Sequence, residues 1–356
     1  MSSKVSTKKE QEPPSLTRSL PDDMIVDIVA RVPRRYYPTS ISLVSKSFRD
    51  LVASPELYKR RSLLGCTEHC LYAVLHNQNT RDYRLYILNS NNRLVLIRPV
   101  PLIMPYEAKC VAVKSKIYVI GGSLCEVTRC IDCISHKVQT ISNMPKPMFH
   151  AVATSIDRNI YVIGRCFCDS NHLSGREWPK KVTVLDTETQ MWEPELTKPD
   201  IKVKELSPDV VVVMEDKIYM RGVENSFVCR PKESKWEVDE MLNSKIWDDA
   251  CAVEGVLYYH DRDENKLRAY DPKQRCWSVV QGLEELLSRM ARISYTNTAS
   301  YGGKLAIFFH IKTEIWCAEI ALERRQGVEI WGKMQWCDVV IDDEMVYMNH
   351  CLAVTI

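Results

Sequence analysis

The sequence predicts a small all-α head followed by an all-β propeller, with six blades closed by the C-terminal strand. Three observations predict it. Apolar residues recur at helical spacing between Leu20 and Leu64, and from Leu71 the period falls to two. A strand pattern then repeats at steps of about 40 to 60 residues, the size of a four-stranded blade. The chain has 356 residues, enough for two or three domains on length alone and for a sizeable core.

Residues 1–17 are polar, charged and proline-bearing, and are expected to be a disordered tail. The head spans 18–65. Its first helix begins at Pro21, a favoured first-turn residue, with Asp22 and Asp23 where the helix dipole favours negative charge. Met24, Ile25, Ile28, Val29 and Val32 form one apolar stripe, and Pro33 ends the helix. Tyr36, Tyr37 and Pro38 make a turn; Ile41, Leu43, Val44, Phe48, Leu51 and Val52 carry the next apolar face. Ser54-Pro55-Glu56 reads as N-cap, first-turn proline and acidic first turn of a helix to about Leu64. A head of this size is too small to bury a self-sufficient core, so it reads as a docking module.

The body, 66–356, opens each repeat with a strand of small and β-branched residues: Val111–Val113, Ala151–Ala153, Val210–Val213 and Cys251–Val253. A polar turn leads to an aromatic-rich second strand: Leu71–Leu75, Ile117–Ile120, Ile160–Ile163, Ile218–Met220, Leu257–Tyr259 and Leu305–Phe309. The third strand ends at Asn89, Asp132, Asp186, Arg230 or Asp271, and the fourth begins at Val95, Val138, Trp192, Trp236 or Trp277. Repeat one lacks a first strand. Cys351-Leu352-Ala353-Val354-Thr355 copies Cys110-Val111-Ala112-Val113-Lys114, so residues 351–356 are expected to supply it and close the ring without a free edge.

Net charge is +2. Residues 1–65 hold 12 Lys/Arg against 7 Asp/Glu, and the remainder 36 against 39, neither being the basic stripe of a nucleic-acid binder. No apolar run is long enough to cross a membrane, and residues 1–19 lack the apolar core of a secretory leader. Fourteen cysteines in such a chain read as free thiols in a cytoplasmic or nuclear protein.

Leu20-Pro21-Asp22-Asp23, Arg31-Val32-Pro33, Leu43-Val44-Ser45-Lys46-Ser47-Phe48-Arg49 and Ser54-Pro55-Glu56-Leu57 together resemble an F-box. The body resembles degenerate kelch repeats, keeping the double glycine after the second strand only as Gly121-Gly122. With Tyr36-Tyr37-Pro38 and Arg61-Ser62-Leu63-Leu64-Gly65, the whole resembles a plant F-box/kelch-repeat protein. The resemblance implies a kelch-type propeller and a non-catalytic substrate receptor of a cullin–RING ubiquitin ligase. The F-box would dock a Skp-type adaptor and the propeller would capture a target protein. Carried over by position, the adaptor-facing residues are Leu20, Pro21, Ile28, Leu43, Val44 and Phe48, the last standing where many F-boxes have Trp.

In an up-and-down blade the 2–3 loops and 4–1 links share one face. The chain enters repeat one at a second strand, which would hang the head from the other face and leave this one for the target. On it fall the long loop 165–181, with Asp169, His172, Arg176 and Trp178, then His260-Asp261-Arg262, and Arg81. These are expected to form a mixed-charge rim. Cys130-Ile131-Asp132-Cys133 and Cys166-Phe167-Cys168 could make a thiolate metal site, but residues three apart on a strand face opposite ways, and buried thiols are the simpler reading. No phosphate-binding loop or nucleophile elbow occurs, and no cofactor is called for. Trp192, Trp236, Trp277, Trp316, Trp331 and Trp336 recur as repeat residues and are expected to pack between blades. A scaffold without a degradation role, and a propeller enzyme or small-molecule sensor, are the alternative classes.

Overall fold

A computed structural model describes residues 20–97, 104–105, 107–122, 125–166, 180–193, 210–222, 225–233, 235–291, 293, 295–325 and 329–356. The expected tail 1–17 lies outside the described residues. The chain divides into two compact units between Glu68 and His69.

The first unit is helical: α1 (Asp22–Arg31), α2 (Ser42–Val44), α3 (Lys46–Val52) and α4 (Pro55–Leu63). Pro21 stands just before α1, and its carbonyl accepts from the amides of Met24 and Ile25. Val32 is extended, as a residue before proline prefers, and this stops the helix. The segment expected as a turn is helical instead, a 3₁₀ turn over Arg34–Tyr36 running into one π turn over Tyr37–Ile41. Ser45 separates α2 from α3 because it is extended and its hydroxyl caps the Phe48 amide. Ser54 caps Leu57 in the same way at α4. Val29 and Ala30 of α1 are buried in this unit, as are Leu57, Tyr58 and Arg61 of α4.

The second unit is a β-propeller-like array of antiparallel repeats. Repeat one is β1 (His69–Asn77), β2 (Asp82–Leu88) and β3 (Leu94–Leu96); repeat two is β4 (Lys109–Val113), β5 (Lys116–Ile120), β6 (Thr128–Asp132) and β7 (Val138–Thr140). Repeat three is β8 (Met148–Ile156), β9 (Asn159–Cys166), β10 (Lys180–Asp186) and β11 (Met191–Trp192). Repeat four is β12 (Val210–Met214), β13 (Lys217–Arg221), β14 (Ser226–Arg230) and β15 (Lys235–Val238). After the short helix α5 (Glu240–Asn243), repeat five is β16 (Cys251–Val253), β17 (Val256–Asp261), β18 (Lys266–Asp271) and β19 (Cys276–Gln281). After α6 (Glu284–Arg289), repeat six is β20 (Thr296–Tyr301), β21 (Lys304–Ile311), β22 (Glu314–Arg324) and β23 (Ile330–Asp342). The chain ends in β24 (Val346–Thr355), which pairs antiparallel along the whole of β1 from His69↔Thr355 to Asn77↔Val346.

Repeats one to four are separate four-stranded sheets, repeat one being completed by β24. Repeats five and six are not: they form one eight-stranded sheet, where six separate sheets were expected. The join is a two-residue parallel pairing, Val280↔Ile330 and Gln281↔Trp331, between β19 and the long β23. Two glycines permit it. A Cβ on Gly282 (φ +80) would come within 2.9 Å of the Gly332 carbonyl, and one on Gly332 within 2.8 Å of Leu283. The first strands β24, β4, β8, β12, β16 and β20 neighbour one another in a closed cycle.

The core lies between repeats. Ile163 and Phe227 share one buried cluster across repeats three and four, Tyr219 and Tyr259 another across four and five, and Ala73 and Phe308 a third across one and six. A fully buried Ile or Phe side chain such as Ile163 or Phe227 contributes about 1.5–3 kcal/mol. Trp192, Trp236, Trp277, Trp316 and Trp336 all pack in these clusters. Trp331 does not: it lies at the sheet join, under the Arg325 guanidinium at 4.2 Å, with its indole N–H on Glu329. Trp247, outside the repeat pattern, is fully buried and donates to Ser226 Oγ at 3.1 Å.

Candidate functional site

In the helical unit, Arg61 is the organising side chain. It is 1% exposed, and its guanidinium donates to the carbonyls of Ala30 (2.9 Å) and Val32 (2.7 Å), to Tyr37 Oη (2.9 Å) and to Glu68 Oε1 (2.7 Å). Tyr37 in turn donates to the Val29 carbonyl, and the Arg34 amide to Glu68. This ties the end of α1 to α4. At the surface Arg60 clasps Asp27 and holds its carboxyl below the usual range.

With its inner face so fixed, the unit turns a second apolar face outward. The stripe on α1 splits: Val29 and Ala30 go in, while Met24 and Ile28 (52% exposed) go out. Leu43 is 69% exposed and Val44 61%, both on α2. Leu20 and Pro21 are exposed and Phe48 is half-buried. Five of the six adaptor-facing candidates are therefore at the surface. Met24 and Tyr36 are also exposed and large but were not among the candidates. Met24 could have been found, since it stands four residues before Ile28 on the helix.

In the second unit, Asp169, His172, Arg176 and Trp178 lie outside the described residues. Arg81 is exposed in the β1–β2 turn with φ +54. His260 and Asp261, expected on a solvated rim, are instead the last residues of β17 and are 4% and 8% exposed. Partners in the following turn and strand hold them in. Asp261 accepts from Arg268 Nε at 2.5 Å and from the Glu264 amide; burial opposes its ionisation, but these donors prevail and keep its pKa low. His260 Nε2 faces Asn265 Oδ1 at 3.0 Å, and burial lowers its pKa. Arg262 is at the surface and reaches Asp248 Oδ2 at 2.9 Å, while Arg221 grips the other oxygen. Lys245, Ile246, Asp248 and the turn Arg262–Glu264 border a cavity of about 280 Å³ at the seam of repeats four and five. It lies at the strand ends opposite the one where His69 begins β1.

Cys130, Cys133 and Cys166 are buried and form no disulfide, and burial pushes the Cys130 thiol up. Cys168 lies outside the described residues. Among the described residues no cluster of three or more His, Cys, Asp or Glu is disposed to hold a metal.

A helical unit followed by an antiparallel repeat array is what the family comparisons also find. The F-box domain model matches residues 18–60, and the FKB95 kelch-repeats domain model matches 71–341. The chain belongs to the F-box/kelch-repeat family. F-box/kelch-repeat protein At4g38940 of Arabidopsis thaliana is 46% identical over 98% of this chain and 97% of its own length. F-box/kelch-repeat protein At4g39240 from the same plant is 37% identical over 95% and 90%. Putative F-box/kelch-repeat protein At3g10510 is 34% identical over 98% and 99%. In this F-box/kelch-repeat protein the exposed face of Leu43 and Val44 thus falls inside the F-box, and the cavity beside Arg262 falls inside the kelch array.

Proposed function

We propose that the protein is the substrate receptor of an SCF-type cullin–RING ubiquitin ligase. Its F-box docks a Skp-type adaptor through Leu20, Pro21, Ile28, Leu43, Val44 and Phe48, with Met24 and Tyr36 extending the contact. The observation that carries this is the outward apolar face on α1 and α2 of a unit whose other face is already packed. The kelch array captures the target, at the strand ends away from His69. As a receptor the protein performs no bond chemistry; it raises the concentration of target lysines near a charged conjugating enzyme. We read the array as six blades, the eight-stranded sheet being two of them joined at their outer strands. Its free, buried thiols suit the cytosol or nucleus.

The test is reconstitution. Wild-type protein should co-purify with a Skp-type adaptor and cullin, and Leu20→Ala with Pro21→Ala should lose both while the kelch array melts as before. Retained adaptor binding in that variant would refute the docking assignment.

A further inference from the structure

The seam of repeats four and five encloses a second cavity, of about 360 Å³. Sheet register builds one wall of it. Tyr219 of β13 pairs with Val228 of β14, and Val228 with Glu237 of β15. Continuing the register one step beyond Ile218↔Cys229 sets Lys217 beside Arg230. Side chains alternate along a strand, so Lys217, Tyr219, Val228, Arg230 and Glu237 share one face. That face is turned to repeat five, since Tyr219 and Val228 pack with Tyr259 and Tyr270, while Ile218 and Cys229 pack toward repeat three. The opposite wall is the β18–β19 turn, with Pro272 and Arg275. Lys217 stands at the strand ends equivalent to His69 in repeat one, away from the end that carries Arg262.

The acids around this cavity already have their donors. Glu237 takes Lys235 at 2.6 Å and Arg230 at 3.5 Å. Asp239 takes the Leu242 amide and the Tyr270 hydroxyl, each at 2.9 Å. Glu215, in the turn before β13, takes Lys273 at 3.0 Å.

The donors are not so matched. Lys217 has no hydrogen-bond or ion-pair partner among the described residues, and it stands beside a second cation, which is unfavourable across a strand pair. Arg275 lies 3.6 Å from Asp239, beyond hydrogen-bond distance. Tyr219 is 3% exposed, yet among the described residues its hydroxyl makes no hydrogen bond. Burial pushes that hydroxyl up to about 12, so it stays a protonated donor. A buried donor without an acceptor costs free energy, and this one lines the cavity.

Unspent donors among satisfied acids select an anion. Val228 and Pro272 add apolar wall, and the volume is that of a small-molecule site. We propose that this cavity binds a small organic oxyanion, a carboxylate or phosphate monoester on an apolar body, with Lys217 and Arg275 at the charged head and Tyr219 donating to it. The site belongs to the kelch array and rests on neither the adaptor nor the target.

The test titrates the full chain by calorimetry with phenyl phosphate, with benzoate and with neutral benzyl alcohol at one ionic strength. The two anions separate the possible heads, and at least one should bind where benzyl alcohol does not. Lys217→Met and Tyr219→Phe should each weaken that anion about tenfold, as for loss of one hydrogen bond to a charged group. Without anion, Tyr219→Phe should melt at or above wild type, because it deletes a buried donor that has no acceptor. Failure of both anions to bind, equal binding of benzyl alcohol, unchanged affinity in either variant, or a lower melting temperature for Tyr219→Phe would overturn the proposal. None of these results bears on adaptor docking, which the reconstitution reads separately.

Discussion

Arg61→Met keeps much of the aliphatic bulk of the side chain and removes the buried hydrogen bonds that tie the end of α1 to α4, leaving only the surface Arg60–Asp27 pair. Two backbone carbonyls, Ala30 and Val32, lose their donor inside the unit, at about 1–3 kcal/mol each. Glu68 is 34% exposed and can hydrate, so it adds little. The expected loss is about 2–6 kcal/mol, whereas a unit of roughly 50 residues has about 2.5–7.5 kcal/mol in all. The helical unit should therefore sit near its own unfolding midpoint. Hydrogen exchange of the full chain reads this directly: α1 amides, Val29 and Ala30 among them, should lose protection by about 30-fold or more, at 1.4 kcal/mol per tenfold. The kelch array should exchange as before. Arg60→Met is the control, because the half-exposed Arg60–Asp27 pair is screened by water and should leave α1 protection nearly unchanged. Unchanged α1 protection in Arg61→Met would refute the view that this buried guanidinium holds the unit together.

Three more perturbations follow from the array. Deleting Cys351–Ile356 removes the half of β24 that pairs with His69–Ala73, exposing two strand edges, and should turn a soluble protein into an aggregating one; a soluble truncation with one cooperative melt would contradict ring closure by β24. In β9 a Cβ on Gly164 would stand 2.6 Å from Ala151 Cβ, so Gly164→Ala should cost about 1–3 kcal/mol in urea melts, and Ala151→Gly should restore only part of it because the Ala151 Cα at 2.9 Å and the Phe149 carbonyl at 3.2 Å still crowd the new methyl. Burial, aided by Lys109, lowers His350 to about 4. Its unfolded value is about 6.5, so the neutral form's stability is fully present above that pH and is lost as pH falls toward 4, by up to about 3 kcal/mol. His350→Asn should remove this dependence when urea midpoints at pH 7 and 4.5 are compared with wild type.

What the sequence made legible was whatever depends on neighbours along the chain. The six aromatic second strands and the cap at Ser54 follow from period and spacing, whereas the cap at Ser45, which divides α2 from α3, lies under an apolar pattern that runs straight through it. The closing strand was legible from Cys351 on because it copies another first strand. Its earlier half was not, since Asn349 is skipped in the pairing between Met348 and His350 and breaks the alternation. The joined sheet depends on Gly282 approaching Gly332 from fifty residues away. The apolar stripe of α1 was readable, but its division into Val29 inside and Ile28 outside is made by where α4 and Arg61 lie. His260 and Asp261 read as a polar loop because Arg268 and Asn265, which draw them inward, belong to the next strand and its turn.

The central claim is that the outward face of α1 and α2 is an adaptor-binding surface, and an affinity measurement tests it most directly. Leu43→Glu with Val44→Glu changes two exposed side chains that support no buried contact, so thermal melting and α1 protection should match wild type. Titrated against a purified Skp-type adaptor by calorimetry, the double variant should bind at least about 30-fold more weakly, as expected when about 2 kcal/mol of central apolar contact is replaced by charge. Adaptor binding within about threefold of wild type would contradict the account.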